Sequence, residues 1–95
     1  MYNVHLFQLA GYIQRITSDN RVNTSHLSMY MALLACWQNQ KYPGHFKISR
    51  KEVMKLSKIA AISTYHRCMK EMVRYGYIRY EPEYDSYKGS KVSLS

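Results

Sequence analysis

The sequence predicts a mainly α-helical chain that ends in a small β-hairpin, an α+β fold. Three observations point there. Segments 4–17, 25–38, 49–57 and 61–75 read as helices, three from apolar residues at three- and four-residue spacing and one from an unbroken apolar run. Segments 77–81 and 91–94 alternate with period two, as strands do. Turn formers separate them: Ser18-Asp19-Asn20, Pro43-Gly44, Gly76 and Pro82.

The first helix places Leu6, Leu9, Ile13 and Ile16 on one stripe, widened by Phe7 and Ala10, with Gln8, Gln14 and Arg15 opposite. The stripe is expected to cover the second helix or to join two copies of the chain. Thr24 or Ser25 caps the second helix, whose middle, residues 29–37, is apolar on every side. A helix without a polar face is surrounded by protein, so it belongs at the centre. Phe46-Lys47-Ile48 is a short strand. Ser49 followed by Glu52 is a capping box opening a short helix with Val53, Met54 and Leu56. The next helix starts near Ala61 and turns Ile62, Tyr65, Met69 and Met72 inward, flanked by Cys68 and Val73. Ser63, Thr64, His66, Arg67, Lys70, Glu71 and Arg74 stay outside. Gly76 fits a left-handed helix stop. Tyr77-Ile78-Arg79-Tyr80-Glu81, ended by Pro82, and Lys91-Val92-Ser93-Leu94 then pair as a hairpin around a wing loop at 83–90.

A chain of 95 residues holds one core, hence one domain. Its net charge of +8 suggests a polyanionic partner. That excess is uneven: residues 47–79 carry +7, residues 1–46 carry +2 and residues 80–95 carry −1. Cys36 and Cys68 stand apart, which fits neither a zinc ribbon nor a disulfide framework. His5, His26, His45 and His66 fall in four different elements, so no metal site is expected. Met1-Tyr2-Asn3 opens no export signal, and the nine apolar residues at 29–37 are far short of a membrane span. A cytoplasmic location is the expectation. No phosphate-cradling Gly-rich loop, paired carboxylates or Cys–His pair points to catalysis, so neither an enzyme nor a cofactor or small-molecule ligand is expected.

Strand, capped short helix, tight turn, polar-faced helix, Gly and hairpin is the order of a winged helix-turn-helix, here with an N-terminal helix packed on or beside it. A helix of that kind fits the major groove of DNA, while the N-terminus of the preceding helix offers free N–H groups to phosphate. The stretch from Ile48-Ser49-Arg50-Lys51-Glu52-Val53-Met54-Lys55-Leu56 to Gly76-Tyr77-Ile78 resembles the DNA-binding segment of winged-helix bacterial regulators and of phage or plasmid replication proteins. With Thr64-Tyr65-His66-Arg67-Cys68-Met69-Lys70-Glu71, Tyr80-Glu81-Pro82 and Lys88-Gly89-Ser90, the chain is similar to small regulators of Bacteroidetes mobile elements. One departure is the absence of a Gly in the turn between the two helices.

Within that frame Ser63, Thr64, His66 and Arg67 are expected to meet base edges, Arg67 being suited to the O6 and N7 of guanine. Ser49, Arg50, Lys51, Lys58 and Lys70 are expected on phosphate, and Lys88 and Lys91 on the wing. Glu81, Glu83 and Asp85 would be repelled by a phosphate backbone. The expected partner is double-stranded DNA, with a pseudo-palindromic site if the first helix makes a homodimer. Two alternatives stand beside it. A protein-interaction winged helix would set its basic face against an acidic partner, a reading that the acidic loop favours. A replication-initiation or single-strand binding module would stack bases on Tyr77, Tyr80, Tyr84 and Tyr87.

Overall fold

A computed structural model describes residues 4–83 and 89–95. Its elements run α1 (Val4–Thr17), α2 (Thr24–Asn39), β1 (Phe46–Ile48), α3 (Arg50–Ser57), α4 (Ile62–Arg74), β2 (Ile78–Glu81) and β3 (Ser90–Leu94). The architecture is mainly helical α+β, with one small antiparallel sheet in the order β1-β3-β2.

Helix α2 is the centre. Met29, Tyr30, Ala32, Leu33, Leu34, Cys36 and Trp37 are all buried, because an apolar surface on every side leaves no face that prefers water. Met31 alone in that run turns to solvent. The cap is Asn23, one residue before the first of the two expected, Thr24 and Ser25. The Asn23 side chain accepts from the N–H groups of Ser25 and His26, and His26 Nδ1 accepts from the N–H of Asn23. That reciprocal arrangement satisfies three donors of the helix start with two side chains.

The capping box expected at Ser49 and Glu52 forms only by half. Ser49 Oγ accepts from the Glu52 N–H at 3.2 Å, but the Glu52 carboxylate turns inward and accepts from the Cys36 thiol. Burial and that neighbouring carboxylate push the Cys36 thiol up to about 12, so it remains protonated.

Two expected inward stripes are corrected. In α1 only Ile16 is buried, with Leu9 and Tyr12 packed partly beneath; Leu6, Phe7, Ala10 and Ile13 face out. The helix is instead pinned by rings: His5 stacks on Tyr42 at 4.3 Å, and Tyr12 meets the edge of Trp37. In α4 the core residues are Tyr65, Cys68, Met69 and Met72, so Cys68 lies inside the stripe and Ile62 and Val73 lie outside it. The helix begins after Ala61, where the chain turns in from a β conformation. Leu56 in α3 is likewise exposed.

Helix stops follow one geometry with different residues. After α4 the N–H of Gly76 bonds Val73 O and the N–H of Tyr77 bonds Met72 O, with Gly76 at φ +84°. After α2 the same pair of bonds runs from Lys41 to Gln38 and from Tyr42 to Trp37, with Lys41 at φ +70°. Both are Schellman stops, the first built on glycine and the second without it. Lys58, at φ +64°, takes the left-handed position at the end of α3 and so makes the turn to α4 without glycine.

The sheet is more than a hairpin. β3 pairs with β2 (Ile78↔Leu94 to Glu81↔Lys91) and also with β1 (Phe46↔Val92, Ile48↔Ser90). The outer edge of β1 is closed by Gln40, whose side chain accepts from the Lys47 N–H and donates to the Lys47 carbonyl. An edge covered in this way offers no free ladder to another strand.

Candidate nucleic-acid interface

The site is built where α3, α4 and the sheet meet. β1 ends in Ile48, and the chain enters α3 through Ser49, so Arg50 and Lys51 occupy the first turn at the helix N-terminus. α4 follows the Lys58 turn and buries one stripe against α2. Ser63, Arg67, Lys70 and Arg74 are left on the opposite side at helical spacing. β2 then brings Tyr80 beside α4. The result is a groove of about 500 Å³ whose walls include Ser49, Arg50 and Lys51 from α3, His66 from α4, and Tyr80 and Ser90 from the sheet. A second, mostly apolar hollow of about 290 Å³ continues along α4 past His66, Lys70, Val73 and Tyr80.

Arg50 and Lys51 supply the basic side chains of the first groove, whose walls also include Glu83, and Lys70 that of the second; Lys55, on α3, and Lys58, at its C-terminal end, lie outside both. Arg50, Lys51, Lys55, Lys58 and Lys70 are exposed and have no carboxylate within salt-bridge distance among the described residues. The free N–H groups and positive dipole end of α3 add to the charge of Arg50 and Lys51. Tyr65 lies beneath the groove, and burial pushes its hydroxyl up to about 12, so it stays neutral.

Glu71, expected outside, is the acidic residue of α4, and it is turned half inward. Its Oε1 lies 3.0 Å from Nε2 of the buried His26. Because His26 Nδ1 accepts from a backbone N–H, the ring proton sits on Nε2 and is donated to Glu71. Arg67 and Arg74 flank the same carboxylate at 3.6 Å each. Glu71 thus couples α4 to the start of α2 and positions two arginines of the outer face. Sequence reasoning missed this; its signal is an Asn-x-x-His start on α2 and a lone acid on a basic helix face.

The expected site residues fall into groups. Ser49, Arg50, Lys51 and His66 share one groove, and His66 and Lys70 share the next. Ser63 and Arg67 lie on the outer face of α4 beyond both, while Thr64 is half-buried. Lys58 stands at the opposite end of α3 from Arg50 and Lys51. Lys91 pairs in register with Lys47 and Glu81 on the exposed face of the sheet, the face turned away from Ile48 and Tyr80. Lys88, Asp85, Tyr84 and Tyr87 lie outside the described residues. Tyr77 is not a stacking platform: it is buried and its hydroxyl donates to Asp19 at 2.7 Å. Tyr80, expected in the single-strand alternative, lines both grooves.

Among the described residues no helix is long and apolar enough to cross a membrane, and no three His, Cys, Asp or Glu side chains gather as a metal site. Compared with family models, curated proteins and solved structures, the chain has no match.

Proposed function

We propose that the chain is a winged helix-turn-helix module that binds double-stranded DNA, with α4 entering the major groove. The observation that carries this reading is the groove that Arg50 and Lys51, in the first turn of α3, share with His66 of α4. The element order supports it: α3, a short turn, α4, then β2 and β3, with β1 returning to pair with β3. So does the charge of +7 within residues 47–79. In this reading Ser63, His66 and Arg67 approach base edges, with Thr64 set further back, while Ser49, Arg50, Lys51, Lys58 and Lys70 hold phosphates. The use we propose for such binding is regulatory, through occupancy of a site.

Tyr80 and His66 beside a basic groove favour a second reading, stacking of single-stranded bases. Fluorescence anisotropy with a random-sequence duplex and the matching single strand, at two salt concentrations, separates the two. Salt-sensitive binding that favours the duplex is expected. Preference for the single strand selects the second reading, and salt-insensitive or absent binding to both removes both.

A further inference from the structure

A different surface carries its own information. Helices α1 and α2 together hold one side chain with a formal charge at neutral pH, Arg15. That guanidinium is engaged internally, donating to Gly76 O at 2.6 Å and Ser95 O at 3.0 Å. The outward face of the pair is therefore uncharged, on a molecule whose net charge is +8. It is also apolar: exposure is between 58% and 68% for Val4, Leu6, Phe7 and Met31, and 42% for Ile13. A surface helix of a monomer normally turns charged or polar residues to water. Between the two helices runs a groove of about 450 Å³ whose walls include Leu6, Leu9, Ile13, Met31 and Leu34.

Helix α1 is held to the core by rings, Arg15 and Ile16 more than by a buried apolar stripe. Of its fourteen residues only Ile16 is buried, and Gly11 stands in its middle with open space where a Cβ would be. Isolated helices of this length are marginal and take most of their stability from a packed apolar face. More of α1's apolar surface lies outside than inside.

We infer that this α1–α2 face joins two copies of the chain in an isologous dimer, each α1 lying against the other copy's groove. Area supports that occupant. At about 200 Å² for a large side chain, Leu6, Phe7, Ile13 and Met31, which can share one side of the pair, present roughly 450 Å² per copy. Two copies then bury roughly 900 Å² before the groove walls are counted, close to the ~1,000 Å² that an interface between proteins has to clear. Charge supports it too. Two strongly basic molecules repel, and the uncharged face is where they can meet with their basic surfaces elsewhere. A strongly acidic or basic partner would find no counter-charge there.

Sedimentation velocity on nucleic-acid-free protein, over a concentration series up to about 300 µM, tests this. Wild type is expected to show a reversible monomer–dimer equilibrium. Met31→Lys changes an exposed position of α2 outside the core, and Leu6→Glu changes α1. Each is expected to weaken dimerisation on the order of tenfold or more, and Met31→Lys should keep wild-type ellipticity at 222 nm at a concentration where both are monomeric. A wild type that stays monomeric throughout overturns the inference. So does a dimer that either substitution leaves unchanged.

Discussion

Asp19 closes the end of α1 onto the sheet through an unusually full set of donors. It accepts from the Arg21 backbone N–H, from the Arg21 guanidinium and from the Tyr77 hydroxyl. Those bonds, led by Arg21, hold its carboxyl well below the usual aspartate range. A carboxyl with a depressed folded-state value stabilises the fold above its unfolded value, near 3.8, and loses that contribution as pH falls toward the folded value. Wild type is therefore expected to melt above Asp19→Asn at pH 7. The gap should persist to about pH 5 and narrow on further acidification; an unchanged gap at pH 3 contradicts this account. Lys58 gives a second test at the same scale. Its left-handed backbone costs a side-chain-bearing residue about 1 kcal/mol relative to glycine. Lys58→Gly should raise stability by about 0.5 kcal/mol, after the entropy glycine adds to the unfolded chain, and on the proposed function it should lower the salt dependence of duplex binding by roughly one ion. Thermal melts and salt titrations check the two parts separately.

At the scale of elements, the β1–β3 pair depends on Gly89. Its φ is +69°, and a Cβ there would lie 2.9 Å from the carbonyl oxygen of Ile48. Gly89→Ala is expected to cost about 1–3 kcal/mol in a denaturation experiment, because backbone on β1 must move to accept it. That contact explains what was hard to see in the sequence. The period-two patterns at 77–81 and 91–94 mark the two strands, but nothing local says that Phe46-Lys47-Ile48 pairs with the second of them. Helix ends show the same divide. Gly76 announces its stop by its residue type, whereas Lys41 and Lys58 adopt left-handed backbone with no such signal. The outward face of α4 was legible from spacing, down to the burial of Tyr65, Met69 and Met72. The stripe on α1 misled because apolar spacing says which residues share a face, not whether the chain itself covers that face. Glu71 misled for a related reason: its partner, His26, is 45 residues away in sequence.

At the scale of the molecule, uncharged and basic surfaces are segregated. The helices α1 and α2 hold the apolar outer face, while residues 47–79 hold +7 of the net charge. On the proposed reading of the basic side, the two kinds of contact respond differently to substitution. Arg67→Ala should lose about 1–3 kcal/mol for a preferred sequence and relax the preference. Lys51→Ala should weaken all duplexes about equally and flatten the salt dependence by about one ion. Glu71→Gln should be intermediate, because it leaves Arg67 and Arg74 charged but removes the carboxylate that positions them. The most direct measurement of the central claim is the salt dependence of duplex affinity for wild type and Lys51→Ala. The account predicts salt-sensitive duplex binding whose log–log slope becomes shallower by about one in the variant. Duplex binding that ignores salt, or identical slopes for the two proteins, would contradict the assignment of the α3–α4 groove to DNA.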